Sequence, residues 1–204
     1  MSSDFRIEGI FPSPVYITRR KLDLDSTEEK EIEDIVDGGM DEAVVDSISN
    51  DMYIFDTGLY KLKEFIEEHI KIYVKEVLNP KEKLDFYITQ SWLNVSIHEH
   101  SSYKHFHQNS VLSGVFYVST VENDKLVFYD PCTNLKGRIG VEPMEDSRWT
   151  SNAWSLSVEN NMLVLFPSWL EHNALIVGHR ISIAFNVFAR GKFGTKNSTN
   201  ELIL

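Results

Sequence analysis

Apolar and polar residues change their rhythm near Leu84: before it they recur every three to four residues, and after it they alternate. Leu59, Leu62, Phe65, Ile66, Ile70, Tyr73, Val74 and Val77 share one face of a predicted helix, with Glu64, Glu67, Glu68, Lys71 and Lys75 mainly on the other. Asp56 or Thr57 is placed to cap its start, and Asn79-Pro80 stops it because proline cannot continue the hydrogen-bond ladder. Upstream, Ser26-Thr27-Glu28-Glu29 matches a capping box and predicts a shorter helix that ends at Gly38-Gly39. The stretch 7–16, interrupted by Pro12 and Pro14, predicts an edge strand or extended arm.

Beyond Leu84 the alternation predicts strands over 86–97, 111–119, 125–129, 153–158, 162–166, 173–177 and 181–188. Segments rich in Asn, Asp, Gly, Pro and Ser separate them. Many short strands at this spacing point to an antiparallel sandwich, and helices preceding strands give the α+β order. The expected fold class is α+β, a double-stranded β-helix (jelly roll) with N-terminal helices buttressing one sheet. The expected organisation is a single domain over 1–204, with an arm and helices over 1–83, the core over 84–190 and a C-terminal arm over 191–204.

Composition narrows this further. Thirty-one Asp and Glu against 20 Lys and Arg give a net charge of -11, so a phosphate backbone would be repelled and nucleic acid is not an expected partner. The single Cys132 excludes an internal disulfide framework and suits a reducing compartment. No run approaches the roughly 20 apolar residues of a membrane span, and the acidic N-terminus lacks the apolar core of a secretory signal. The expected location is the cytoplasm, where the sequons at Asn94 and Asn197 are chance matches.

Four of the seven histidines lie at His98, His100, His105 and His107. Alternate residues on a strand point to one side, so either His-x-His pair can offer two imidazoles to one ion, and spacing alone does not choose between them. A polar loop explains the same spacing. The segment 163–172 is an apolar strand, a proline turn and then His172, and a later strand opens with Arg180, whose planar fork suits a carboxylate. Alone, His172 reads as a loop histidine and Arg180 as a surface cation.

Taken together, Trp92-Leu93-Asn94, His105-Phe106-His107-Gln108-Asn109-Ser110, Leu112-Ser113-Gly114-Val115-Phe116-Tyr117-Val118, the run from Phe166 to His172, and the run from Arg180 to Asn186 resemble one family in order and spacing. It is a branch of the 2-oxoglutarate/Fe(II) oxygenase superfamily found in bacterial and phage genomes and distantly related to prolyl hydroxylases. The resemblance covers roughly 92–187, and the stretch 10–15 looks like the family's opening strand.

The resemblance implies Fe(II) and 2-oxoglutarate as cofactor and cosubstrate, O2 and an unidentified substrate as partners, and hydroxylation with decarboxylation of 2-oxoglutarate to succinate. His105 and His172 match the two metal-binding histidines, and His107 stands where the superfamily usually has a carboxylate. Arg180 matches the arginine that binds the far carboxylate of 2-oxoglutarate, with Ser182 beside it and Tyr117 matching a tyrosine that bonds the same molecule. Asn94 and Asn186 lie on strands expected to line the barrel, where they either bond the cosubstrate or are buried amides satisfied by backbone. Glu99, Asn109 and Asp130 are alternatives to His107 as third ligand. Phe106, Phe116, Trp92 and Phe185 would keep the site apolar. The long segment 133–152, with Arg138, Arg148 and Trp149, is a candidate substrate lid or an ordinary connector. Two other readings remain open: a cupin-like metalloenzyme without 2-oxoglutarate, which has no need of Arg180, and a non-catalytic jelly-roll interaction module.

Overall fold

A carboxylate, rather than the expected hydroxyl, starts the first helix. The computed structural model describes residues 8–42, 46–132, 142–145 and 147–204. Helix α1 (Ser26–Asp37) is capped by Asp25, whose side chain accepts from the amides of Thr27 and Glu28 while Glu28 Oε2 accepts from the Asp25 amide at 3.0 Å. The capping box is thus one residue earlier than Ser26, and its negative charge also suits the helix N-terminus. The helix ends at Gly38 as the sequence predicts.

The predicted second helix begins one residue after Leu59, and a separate turn stands before it. A single turn, α2 (Ile54–Thr57), precedes α3 (Tyr60–Tyr73), and Leu59 between them is left-handed at φ 56°. Neither Asp56 nor Thr57 caps α3. The Leu59 amide instead donates to Glu31 Oε2 of α1 at 2.9 Å, so a neighbouring helix supplies the acceptor. Beyond Tyr73 a π-helical turn (Val74–Leu78) leads to Asn79, also left-handed, and Pro80 follows.

In chain order the strands are β1 (Tyr16–Arg19), β2 (Met40–Glu42), β3 (Asp46–Ser49), β4 (Asp85–Ser96), β5 (His100–Ser101), β6 (Leu112–Ser119) and β7 (Lys125–Tyr129). They continue as β8 (Ala153–Ser157), β9 (Met162–Pro167), β10 (His172–Ile176), β11 (Arg180–Arg190), β12 (Lys192–Phe193) and β13 (Leu202–Ile203). One sheet has the order β1-β9-β6-β11-β4-β3-β2 and the facing sheet β5-β10-β7-β8. This is the expected jelly roll, flanked by helices. Three local readings need correction. The first strand begins at Tyr16, after the prolines that lack ladder donors. Strands β2 and β3 extend the large sheet from the part read as arm and helices. The tail is not a bare arm but closes in the small β12–β13 hairpin.

The period of two sorts each central strand into two faces. Leu93, Leu112, Phe116, Leu163, Leu165, Ile183, Phe185 and Val187 form one buried cluster with Leu62, Ile66, Ile70 and Tyr73 of α3. Their sequence neighbours Tyr117, Val164 and Phe166 instead meet Leu126 and Phe128 of the second sheet. The large sheet is therefore apolar on its helix face and holds its polar residues toward the second sheet. Gly114 lies where Phe185 crosses: a Cβ there would collide with the Phe185 ring and lie 2.7 Å from Leu165 Cδ2. Both side chains are fully buried and cannot move aside. Gly114→Ala is expected to cost about 1–3 kcal/mol by overpacking, read as a lower urea midpoint at unchanged slope.

Candidate functional site

On β11 the residues facing the second sheet are Arg180, Ser182, Ala184 and Asn186, three of them polar, on a strand whose other face is apolar. Ser182 lies opposite Asn94 on β4 and Tyr117 on β6, so one row across three strands sets these side chains side by side. They open into a cavity of about 860 Å³ that His105, His107, His172 and Arg180 also line. His105, His107, His172, Arg180, Tyr117, Ser182 and Asn94 thus reach one chamber.

The two His-x-His residues do not sit on a regular strand. His105 makes a single antiparallel bridge to His172, with amide-to-carbonyl bonds of 2.9 Å in both directions. His107 lies in the loop beyond it, held by its amide bond to the Ser168 carbonyl at 3.0 Å. The chain remains extended, so Phe106 between them turns outward and is half exposed.

Each imidazole has its Nδ1 engaged. His105 Nδ1 lies 2.7 Å from the Tyr103 carbonyl, His172 Nδ1 2.9 Å from the Leu170 carbonyl, and His107 Nδ1 2.6 Å from Asn186 Oδ1. These oxygens only accept, so each Nδ1 carries the proton and each Nε2 keeps a lone pair. The ligand atoms of all three rings lie within 4.8 Å of one another, and His107 Nε2 faces His172 Nε2 at 3.3 Å. Two lone pairs at that separation repel unless a cation lies between them. Cis nitrogens on one ion with bonds of about 2.1 Å are themselves about 3 Å apart, so the donor set fits a divalent metal.

Burial keeps the His107 and His172 rings neutral. It lowers His172 to about 3, against the bond to the Leu170 carbonyl, and lowers His107 to about 4, against the bond to Asn186. Both fall below the ordinary histidine value, so the unfolded chain takes up protons from pH 6.5 downward that the folded chain refuses. Stability is therefore retained above pH 6.5 and lost as pH falls toward 4, by at most about 1.4 kcal/mol per pH unit for each ring. Melting temperatures in chelator are expected to drop over that window, with a shallower slope in His172→Gln.

Aromatic rings enclose the cluster. Trp92 stacks on His107 at 5.9 Å between centroids, and Phe166 meets His172 edge-on at 4.6 Å. Phe116 and Phe185, also expected here, belong to the helix-facing cluster instead. Arg180 is 6% exposed, and among the described residues its Nε and Nη1 have no hydrogen-bond partner. Its guanidinium carbon lies 5.7 Å from the Tyr117 ring centroid. Burial raises the Tyr117 phenol to about 12, so it remains a hydroxyl. A buried guanidinium with two unpartnered nitrogens fits a carboxylate.

The alternatives for the third ligand are elsewhere. Glu99 and Asn109 are exposed, Asp130 Oδ1 accepts from the Cys132 amide at 2.9 Å, and none of the three lines the chamber. His98 is exposed, whereas His100, with Ser101, Ser102 and Tyr103, forms part of the chamber wall. Asn186 bonds His107 rather than lining the cosubstrate side. Ile48 and Met52 complete the wall from the N-terminal half; nothing in their local sequence marks them, because only the β3–β4 pairing brings them there. Half of the candidate lid over 133–152, Arg138 included, lies outside the described residues; the described Trp149 packs beside Gly9 and is absent from the wall.

Residues 90–186 match the model of the family "Putative 2OG-Fe(II) oxygenase". Over these residues the chain is similar to the 2-oxoglutarate/Fe(II) oxygenase family. This oxygenase is an oxidoreductase, and its family's cofactors are Fe(II) and 2-oxoglutarate. No curated protein matches the oxygenase sequence. Solved structures share its fold at low identity. An oxidoreductase of the 2OG-Fe(II) oxygenase family from Burkholderia pseudomallei aligns with a TM-score of 0.58 at 9% identity, covering 85% of this chain and 83% of that one. A prolyl hydroxylase from Trichoplax adhaerens, in complex with a hypoxia inducible factor peptide, aligns at 0.57 and 11%, covering 85% and 83%. HygX from Streptomyces hygroscopicus, with nickel and 2-oxoglutarate bound, aligns at 0.54 and 10%, covering 86% and 82%. No helix among the oxygenase's described residues is long and apolar enough to cross a membrane.

Proposed function

We propose that this oxygenase is an Fe(II)- and 2-oxoglutarate-dependent dioxygenase that hydroxylates an as yet unidentified substrate. The observation carrying the reading is the pair of facing Nε2 atoms, His107 and His172, with both Nδ1 positions already committed as donors. In this reading His105, His107 and His172 hold the metal, and Arg180 takes the far carboxylate of 2-oxoglutarate with Tyr117, Ser182 and Asn94 around it. Iron and 2-oxoglutarate together supply the oxidation: one atom of O2 goes into succinate, the other into the substrate, and CO2 leaves.

The protein's part is placement and exclusion of water. Arg180 and the Tyr117 hydroxyl fix one end of the cosubstrate, and the aromatic walls keep His107 and His172 dry and neutral. Three neutral imidazoles leave the full charge of the ion uncompensated, which strengthens its hold on an anionic cosubstrate but offers no intrinsic preference for iron over nickel or zinc. The buried Arg180, with Nε and Nη1 unpartnered, favours this reading over a cupin-like enzyme, in which nothing calls for it. A single domain acting in the cytoplasm, away from nucleic acid and membrane, completes the proposal, and exposed Cys132 stays reduced there.

The test is uncoupled turnover. Protein supplied with Fe(II), ascorbate, O2 and 2-oxoglutarate is expected to form succinate without added substrate, at a rate abolished by chelator. Succinate no higher than in a protein-free control, from protein shown to carry iron, would sink the proposal.

A further inference from the structure

Two of the three imidazoles are oriented by their own local backbone: His105 and His172 each donate Nδ1–H to the carbonyl two residues earlier. His107 is the exception. Its Nδ1–H goes to a side chain 79 positions away, Asn186 on β11, at 2.6 Å. Asn186 is 6% exposed and its amide has a single sensible orientation. Its Oδ1 also receives the Ser113 hydroxyl at 3.0 Å, and its Nδ2 donates to Gln90 Oε1 at 3.4 Å. Reversing the amide would set a donor against the His107 Nδ1–H and bring Oδ1 against Gln90 Oε1, two acceptors facing each other.

The amide is in turn braced. Ser113 has one proton, shared between Asn186 Oδ1 and Ser168 Oγ at 2.8 Å; Ser168 donates to Ser110 Oγ at 2.7 Å, and Ser110 to the Leu112 carbonyl at 2.9 Å. Ser113 and Ser168 are buried to within 1%. These hydroxyls belong to β6, the turn after β9 and the end of the His107 loop, so the network ties that loop to the barrel at the point where its regular pairing has ended. A buried polar chain of this kind is costly unless every member is satisfied, and it forms one discrete geometry when it is.

We propose that Asn186 is the positioning residue for His107: it holds the proton on Nδ1 and aims the Nε2 lone pair, so that a histidine in a loop can stand where the superfamily usually has a carboxylate. This rests on the metal reading above, and deepens it by naming what makes the third position usable.

The experiment is titration of the purified full chain with Co(II), read by calorimetry and by the visible Co(II) spectrum. Asn186→Leu removes the acceptor and is expected to weaken Co(II) about 10- to 100-fold with an altered spectrum. Asn186→Asp keeps the acceptor and adds a charge behind the ring, and is expected to bind at least as tightly as wild type. Wild-type affinity and spectrum in Asn186→Leu would overturn the inference, as would equal weakening in both variants tracking an equal fall in melting temperature. If Asn186→Leu does not fold, Asn186→Asp decides alone, and weaker binding than wild type overturns it. His172→Ala separates the two layers: if it takes up Co(II) as wild type does, the metal reading itself fails.

Discussion

His172→Ala is expected to weaken Fe(II) binding at least about 100-fold and to abolish 2-oxoglutarate turnover. The residue sits at the centre of the cluster: it is buried, bridged to His105 through the backbone and 3.3 Å from His107 through Nε2. Removing it leaves two imidazoles, one of them on the exposed side of the chamber. Each protein ligand accounts for several kcal/mol of a typical site's affinity, so the remaining pair cannot retain the ion at micromolar concentrations. The apo variant also loses the repulsion between facing lone pairs, so its metal-free stability should fall less than the buried volume alone suggests. Iron content after gel filtration and a calorimetric titration measure the first effect, and chelator-treated melts the second. A variant that keeps one equivalent of iron would remove His172 from the ligand set.

Arg180→Met is expected to act in opposite directions on stability and on cosubstrate. In the free protein the guanidinium is buried with Nε and Nη1 unpaired, a state whose desolvation cost is not returned. Methionine has a similar stem and no charge, so the metal-free variant should be as stable as wild type or more so, by about 1–3 kcal/mol. Binding of 2-oxoglutarate should weaken about 100-fold or more, since a charged, bidentate partner for a carboxylate is lost. Iron binding should change little, because Arg180 is outside the histidine cluster. Arg180→Lys should recover only part of the loss, as a point charge does not reproduce the fork. The measurements are apo melting and 2-oxoglutarate titration of the iron-loaded protein. A destabilised variant with unchanged cosubstrate affinity would make Arg180 structural and leave the carboxylate without its anchor.

How far the sequence reaches differs from element to element. The alternation after Leu84 predicts the core strands to within a few residues, because a two-sided buried sheet imposes its period on every residue. The α3 face is legible for the same reason at the helical period. The start of α3 after Leu59 is not, since the Leu59 amide finds its acceptor in Glu31 on another helix. Strands β2 and β3 are not either: three- and four-residue strands at a sheet edge bury too little to impose a pattern. At the site, Arg180, Ser182 and Asn186 are visible as polar residues on an otherwise apolar strand. The partner of His107 is not, because nothing local distinguishes an asparagine that bonds a ligand from one that lines a cavity.

By itself the sequence determined the class of fold, the acidic surface, the candidate ligands and the motif order that marks the family, since periodicity, charge and spacing are properties of the chain. The tertiary structure alone decided which candidates meet. It set His105 and His107 against His172, put Glu99, Asn109 and Asp130 elsewhere, brought Ile48 and Met52 from the N-terminal half into the wall, and gave Asn186 to His107. Those outcomes depend on strand register and on which buried polar atoms can satisfy one another, and both are fixed only when distant segments pack together.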